Sequence, residues 1–393
     1  MLKKTLLLTS GLLIIFLSST LTRIDRTPYK ALDFYKKSIH EINQLLTKNP
    51  SRSIGDTLLI GFARANLTPS ESAPLAGYGN RRPKEMTSVH DSIYVNTTVI
   101  NNGKNKIAIV SADLLIIPPE VTALLKEKLF NTGWSLPEIF LSATHTHSSL
   151  GGWAPSLVGN MIAGTYNAKY PEFIANQIIA SIQMAEKRLN AGAWSFNELS
   201  IPSLINNRLV GTQGITDPSL KLMALKSGMQ EGVHVFYGAH ATCLSGENKQ
   251  MSRDYPGVFS DWVVNHTPLD FAVYSAGAVA SMGPETGPKQ GFDRAQFMGE
   301  EMAKQVALIQ QFGFPYENQL NLSFFRIPLF LRQPMVKISE NWALRPWIFK
   351  WAFGHSPLEI SMIQLNDLVM IGLPCDFSGE LAVELYAYAK SKN

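Results

Sequence analysis

The sequence predicts an α/β protein in which layered sheets are flanked by helices. Short apolar runs, typical of buried strands, alternate with longer segments whose apolar residues recur at helical spacing. Apolar residues make up 45% of the 393-residue chain and charged residues 17%, which is the composition of a folded protein with a sizeable core. The formal net charge of +4 is spread along the chain and does not indicate a nucleic-acid partner.

The N-terminus has the pattern of an export segment. Lys3 and Lys4 precede an uninterrupted apolar run over residues 5–21, and this order is typical of a signal peptide or a signal anchor. No clear small-residue cleavage site follows the run. We therefore expect residues 1–22 to be a retained anchor that places the catalytic domain outside the cytoplasm, in the periplasm or extracellular space. A secreted protein is the alternative if the segment is cleaved, and residues 23–57 are predicted to be a linker.

Residues 58–393 are predicted to form one catalytic domain without an internal repeat. Buried strands are expected after residue 58 and at 92–100, 107–113, 138–144, 220–227, 232–240, 271–279, 358–365 and 368–374. Helices are expected from Pro118–Pro119 onward and at 169–192, 292–313 and 379–390. Asn366–Asp367 is an acceptable turn pair for a hairpin between the last two strands.

Polar residues with metal-binding chemistry stand at the ends of several of these strands. His145 and His147 follow the strand at 138–144, His240 ends the strand at 232–240, and Asp376 follows the last strand. Strand ends are where ligands gather in α/β proteins, and imidazole and carboxylate are zinc ligands. A bound zinc ion lowers the pKa of its water to about 7. The alternatives to metal binding are structural roles: the histidines could be hydrogen-bonded within the fold, and Asp376 could cap the helix near Ser378.

Several of these segments carry a resemblance to a known family. The segment ATHTHSSLGG (143–152) is the most specific, and further matches are GFARANLTP (61–69), SVHDSIYVNTTVI (88–100), VFYGAHATCLS (235–245) and IGLPCDFSGELA (371–382). Together they resemble the neutral/alkaline non-lysosomal ceramidases, specifically their N-terminal catalytic domain. The resemblance implies that family's fold and a zinc-dependent amidohydrolase.

The resemblance also implies roles for particular residues. The metal ligands it implies are His145, His240 and Asp376. The catalytic groups are His147 and Arg208, and the substrate-binding residues are His90, Ser281 and Gly283. Asp376 stands where the family has a glutamate. His147 would polarise the amide carbonyl or pass a proton, and Arg208 would stabilise the developing oxyanion.

Three departures from the family pattern modify this expectation. Gly283 stands at the family's serine position, with Ser281 two residues earlier, so attack by metal-activated water is favoured over a serine nucleophile. The chain ends before the family's tyrosine-bearing segment and its immunoglobulin-like domain, which indicates a truncated and divergent member. Ser149–Leu150 replaces the family's Gly-Pro, so the substrate mouth is expected to differ.

The functional prediction is a zinc hydrolase that cleaves the amide bond of ceramide or a related N-acyl lipid. The alternatives are a non-catalytic, membrane-attached lipid-binding relative and a zinc hydrolase of another ester or amide. The expected partners are a lipid or N-acyl small molecule and a membrane surface, with no nucleic acid.

The basic, aromatic segment 325–355 has three interpretations: an acyl-chain channel, a membrane contact or an ordinary core segment. A disulfide between Cys243 and Cys375 remains an open alternative.

Overall fold

The computed structural model describes residue 11 and residues 16–48, 53–82 and 84–392. The strands, in chain order, are β1 (Leu21–Arg23), β2 (Ser53–Ile54), β3 (Leu59–Asn66), β4 (Ser88–Val89), β5 (Tyr94–Asn101), β6 (Lys106–Ala112), β7 (Ile139–Ala143), β8 (Asn190–Ser200), β9 (Ile205–Asn207), β10 (Ser219–Ser227), β11 (Gln230–Tyr237), β12 (Gln250–Met251), β13 (Phe271–Ala276), β14 (Met282–Pro284), β15 (Asn321–Pro328), β16 (Trp342–Leu344), β17 (Glu359–Leu365) and β18 (Leu368–Gly372). The helices are α1 (Asp33–Lys48), α2 (Pro119–Lys128), α3 (Leu157–Ala163), α4 (Lys169–Lys187), α5 (Asp254–His266), α6 (Gly291–Gln311), α7 (Pro346–Phe353) and α8 (Gly379–Lys390). The predicted α/β class is confirmed.

A central sheet of eight strands organises the fold, in the order β13-β11-β10-β8-β3-β5-β6-β7. Neighbouring strands are antiparallel except for two parallel pairs, β11 with β13 and β6 with β7. In the middle, β3 and β8 join through only two residue pairs, Leu59 with Ala191 and Ile60 with Asn190. On each side of this junction the topology repeats: three antiparallel strands, a crossover containing a helix, a parallel edge strand and a second helix. The sequence itself shows no such repeat.

The central sheet is the middle of three layers. Along β3, successive side chains point to opposite faces, as in any strand. Ala63 and Ala65 belong to the apolar cluster that includes α2 and α4, and Ile60 and Phe62 belong to the cluster shared with the four-stranded sheet β18-β17-β15-β2. In the second half of the sheet, α5 and α6 pack on the helix-covered face.

The two edge strands of the central sheet meet near their C-terminal ends. The hydroxyls of Ser142 on β7 and Ser275 on β13 lie 2.7 Å apart, and His234 Nε2 lies 2.7 Å from the same Ser275 hydroxyl. Each serine is one residue from the end of its strand. The loops that follow β7, β13 and the parallel neighbour β11 are therefore brought to one place.

His234 in this contact makes the stability of the fold dependent on pH. Complete burial lowers the pKa of His234 from 6.5 to about 3. The unfolded chain therefore binds this proton more readily, and stability is lost as the pH falls from about 6.5 towards 3, by up to about 1.4 kcal/mol per pH unit. We expect the urea midpoint of the metal-free protein to fall between pH 6.5 and pH 4.5, and to fall less in His234→Phe. His40→Phe changes an exposed histidine on α1 and should keep the full pH dependence; equal slopes in all three proteins would contradict this assignment.

Residues 23–57, interpreted above as a linker, contact the rest of the fold. The strand β1 pairs with β16, β2 pairs with β15, and α1 packs beside β15. Most of the apolar run at 5–21 lies outside the described residues. Across the described ranges, no helix combines the length and the apolar character needed to cross a bilayer. The anchor therefore stays a prediction.

Candidate metal centre

The loops after β7 and β11 bring three imidazole rings together. His145 and His240 are buried, and His147 is partly buried. His145 has a φ of 62°, a left-handed conformation that costs a non-glycine residue on the order of 1–3 kcal/mol and is concentrated at functional sites. This conformation lies where the chain turns out of β7 and into the cluster.

The Nε2 atoms of the three rings converge. His240 Nε2 lies 2.9 Å from His145 Nε2 and 2.8 Å from His147 Nε2. One ligand atom from each of the three histidines fits within a span of 4.8 Å. Three side chains from two separate parts of the chain could therefore hold one metal ion.

Backbone carbonyls fix the orientation of two of these rings. His145 Nδ1 donates to the Leu115 carbonyl at 2.7 Å, and His240 Nδ1 donates to the Val279 carbonyl at 3.1 Å. A carbonyl only accepts, so the proton of each neutral ring is on Nδ1 and its Nε2 presents a lone pair. Two lone pairs 2.9 Å apart repel each other, and a cation between them removes the repulsion. Metal-bound histidines have this same second hydrogen bond to a carbonyl or carboxylate, so the donor set fits a metal ion.

His147 differs from the other two histidines. Its Nδ1 is buried and makes no well-formed hydrogen bond with any described residue, although the Gly77 backbone lies beside it. His147 Nε2 lies 2.8 Å from His240 Nε2. Because the proton of His240 is on Nδ1, a proton on His147 Nε2 can be donated to the lone pair of His240. The division between two histidine ligands and a third histidine that handles protons stays a prediction.

The electrostatics keep His240 and His147 neutral near pH 7. Burial, followed by the nearby His145 and Arg208 charges, lowers the pKa of His240 to about 4. Burial and the charges of His145 and His240 lower the pKa of His147 well below 6.5. Neutral imidazole is the form that binds metals, so both rings are ready to bind without losing a proton.

Asp376 completes the cluster on its more open side. Its Oδ2 lies 3.5 Å from His145 Nε2, and the side chain is 42% exposed. The nearby His145 side chain holds the pKa of Asp376 below its usual value of 3.8, so the group is a carboxylate. The capping alternative for Asp376 is wrong, because Ser378 is the N-cap of α8 and its hydroxyl accepts from Leu381 N–H.

Arg208 lies at the edge of the cluster. Its charge helps to lower the pKa of His240, and its Nε donates to the Ala280 carbonyl at 2.8 Å. The Arg208 side chain is exposed. Its charged group therefore lies in solvent beside the cluster and not inside it.

The three predicted substrate-binding residues occupy different places. The Ser281 hydroxyl donates to Glu380 and accepts from Gly379 N–H at 3.0 Å, which ties it to the start of α8. Gly283 pairs with Asn206 between β14 and β9. His90 is exposed, bonds Asp91 at 3.0 Å and stacks on Phe292 with ring centroids 3.7 Å apart. His90 therefore lines a separate small pocket, whereas His145, His147, His240 and Asp376 are together.

A large cleft leads to the cluster from the side of His145 and Asp376. Its volume is about 2150 Å³, which exceeds the roughly 300–1,000 Å³ of ordinary small-molecule pockets. It runs between the central sheet, the β17–β18 hairpin and α8. Its walls include the apolar side chains of Leu115, Phe140, Met223, Phe236, Met370 and Leu385. The arrangement therefore combines a polar metal-binding end with a long apolar approach.

Two residues that support the site were missed by the sequence analysis. Gly77 has a φ of 122°, and a Cβ there would lie 2.6 Å from the Cα and the Cβ of His147. Arg81 is almost fully buried, and its Nη2 donates to the His147 carbonyl at 2.8 Å. Both lie in APLAGYGNRR (73–82), whose glycine and arginine content was the only available signal.

The two cysteines do not pair. Cys243 is buried and Cys375 is exposed, and both are free thiols. Burial raises the pKa of each thiol above 9.0. The suggested disulfide is therefore not formed in this structure.

Comparison with known proteins identifies a family and agrees with the fold. The sequence model described as "Neutral/alkaline non-lysosomal ceramidase, N-terminal" matches residues 58–281, a range that contains all three clustered histidines but not Asp376. A neutral ceramidase from Pseudomonas aeruginosa is 24% identical over 230 residues, which are 54% of this chain and 34% of that protein.

Two solved structures share the fold. The crystal structure of the neutral ceramidase from Pseudomonas aeruginosa has a TM-score of 0.69 at 17% identity and covers 84% of this chain and 64% of that one. A ceramidase complexed with C2 has a TM-score of 0.69 at 16% identity, covering 84% and 65% respectively. The matches thus span about a third of the curated relative and just under two thirds of the solved chains. Because the family model covers more than half of the sequence, this chain belongs to the neutral/alkaline non-lysosomal ceramidase family.

Proposed function

We propose that the chain is a zinc-dependent hydrolase that cleaves the amide bond of ceramide or of a related N-acyl lipid. The observation that carries the proposal is the cluster of three imidazoles and one carboxylate beside a cleft with apolar walls. The names of the related proteins support ceramide as the substrate class.

In this proposal His145, His240 and Asp376 hold the metal. A zinc ion there would lower the pKa of a bound water to about 7 and so supply a nucleophile at neutral pH. His145 and His240 are oriented for this by their Nδ1 hydrogen bonds to Leu115 and Val279. The carboxylate of Asp376 offsets part of the charge of the ion.

The neighbouring residues act on the substrate amide. His147 Nε2 lies beside the cluster and can hold a proton, which suits it to polarise the carbonyl or to protonate the leaving nitrogen. Arg208 uses Nε on Ala280; its terminal nitrogens bond no other described residue and can stabilise an oxyanion. The apolar walls of the cleft would bind the acyl chain, since each buried methylene contributes about 0.8 kcal/mol.

The test combines metal analysis with a matched pair of substrates. We expect the purified full chain to contain about one zinc ion, as a single site requires, and to release fatty acid from ceramide. A chelator should abolish the release, and added zinc should restore it. The second substrate is the ester with the same acyl chain.

The other possible results would contradict the proposal or favour one of the alternative functions. Stoichiometric zinc without release from any N-acyl lipid would contradict the proposal. Cleavage of the ester alone would indicate a zinc esterase. Ceramide binding without zinc or turnover would indicate a lipid-binding relative.

A further inference from the structure

An exposed aromatic surface stands outside the metal centre. It consists of Trp342 on β16 and Trp347, Trp351 and Phe353 on α7, and is called the tryptophan patch below. These side chains are 42%, 54%, 68% and 45% exposed, respectively. Trp347 and Trp351 are four residues apart on α7 and therefore lie on the same face of the helix. Grouped exposed apolar side chains mark an interaction site more often than single exposed residues do. The core interpretation of segment 325–355 therefore fails for these four residues.

The tryptophan patch is bound to the end of the N-terminal apolar run. The strand β1 pairs with β16, so that Arg23 lies opposite Trp342. Trp347 Nε1 donates to the Ser19 carbonyl at 3.0 Å, and Arg345 N–H donates to the Thr20 carbonyl at 2.8 Å. Phe16, 61% exposed, continues the apolar surface towards the rest of the run. The described end of the segment that we expect to enter a membrane therefore lies beside this patch.

Basic side chains accompany the aromatic ones. The Arg23 guanidinium lies 5.7 Å from the centre of the Trp342 ring. Arg345 is exposed, and Lys350 lies on α7 itself. The acidic Glu340 nearby is paired with Arg26 at 3.2 Å. Tryptophan prefers the headgroup region of a bilayer, and nearby cations attract anionic lipids.

A short stretch of chain connects the tryptophan patch to the lining of the cleft. Helix α7 ends at Phe353, and residues 355–359 line the cleft. A lipid that left a bilayer at the patch would therefore reach the cleft within a few residues of chain.

We propose that the tryptophan patch lies in the headgroup region of a lipid bilayer and faces the cleft entrance towards that bilayer. The occupant of the patch is thus a membrane surface. We choose it over a second copy of the chain because the described end of the apolar run, residues 16–21, lies beside the patch and because the neighbouring unpaired charges are basic. The transfer of substrate from bilayer to cleft rests on the proposed function, whereas the docking itself does not.

Quenching of tryptophan fluorescence tests the docking. The full chain is mixed with vesicles of phosphatidylcholine and phosphatidylglycerol that carry bromine on their acyl chains. Trp134, Trp153 and Trp194 are buried, and Trp262 is partly buried against the core, so contact quenching reports mainly on the patch. We expect clear quenching in the unmodified chain and less in Trp351→Glu. The control Phe312→Glu should show no change; it alters another exposed aromatic side chain, 90% exposed, just after α6. Absent quenching, or equal quenching in Trp351→Glu, would overturn the proposal. A dimer without vesicles that Trp351→Glu dissociates would also overturn it.

Hydrolysis with two forms of substrate tests the transfer. For ceramide in vesicles we expect Trp351→Glu to lower kcat/KM by roughly 10-fold or more, as loss of one large apolar contact predicts. A water-soluble short-chain amide should be cleaved at an unchanged rate. An equal loss on both substrates would contradict the transfer role. If no variant cleaves either substrate, the proposed function fails while the quenching result stands.

Discussion

Replacement of His240 by glutamine is expected to remove the bound metal and the hydrolytic activity together. His240 Nε2 lies within 2.9 Å of the Nε2 atoms of both His145 and His147, so His240 is the ring that links the other two. Loss of an outer-shell partner alone weakens metal binding by about 10–100-fold, and loss of a ligand should exceed that. The measurement is zinc content after gel filtration, with fatty-acid release assayed on the same sample.

A matched control separates this effect from a general effect of histidine removal. His40 is exposed on α1 and bonds Gln44, so His40→Gln should keep both zinc and activity. If His240→Gln retained one zinc ion per chain and normal turnover, His240 would not be a ligand.

Replacement of Gly77 by alanine is expected to destabilise the protein and weaken metal binding. The new Cβ would lie 2.6 Å from the Cα of His147, and backbone at that distance cannot move aside as a flexible side chain can. Overpacking costs roughly 1–3 kcal/mol, and the positive φ of Gly77 adds roughly 1–3 kcal/mol for a residue with a side chain. Relief of the clash would displace His147. Urea unfolding and zinc affinity measure the two effects.

Gly79 in the same loop provides the control for Gly77. A Cβ there would meet nothing within 4 Å, and the φ of Gly79 is not in the left-handed region. Gly79→Ala should therefore have nearly the same unfolding free energy and zinc affinity as the unmodified chain. Equal behaviour of Gly77→Ala and Gly79→Ala would show that the close approach to His147 does not matter.

The sequence predicted the residues of the site better than their arrangement. His145 and His240 were identifiable because each ends an apolar run, and runs of that length are strands. That the two strands deliver their histidines to one place depends on the contact between Ser142 and Ser275. A serine within an apolar strand does not indicate that it contacts a serine on the opposite edge strand of the same sheet. The rings are oriented by the backbone carbonyls of Leu115 and Val279. Because every residue has a backbone carbonyl, the residue types do not predict these hydrogen bonds.

Helix boundaries show a second kind of limit. Helix α5 was not among the helices expected from the sequence, although it begins at Asp254 with Pro256 in its first turn. Proline is tolerated there, since first-turn N–H groups have no partner within the helix. The repeated topology was hidden for a related reason: the two halves share strand order and crossovers rather than residues.

X-ray absorption of the zinc-loaded full chain tests most directly whether these separated segments bind one metal ion. The account predicts nitrogen and oxygen neighbours at about 2.0–2.2 Å, with the outer scattering of imidazole rings. The imidazole contribution should disappear or shrink in His240→Gln. A sulfur neighbour at about 2.3 Å, which would implicate Cys375 beside Asp376, or a chain that binds no zinc would contradict it.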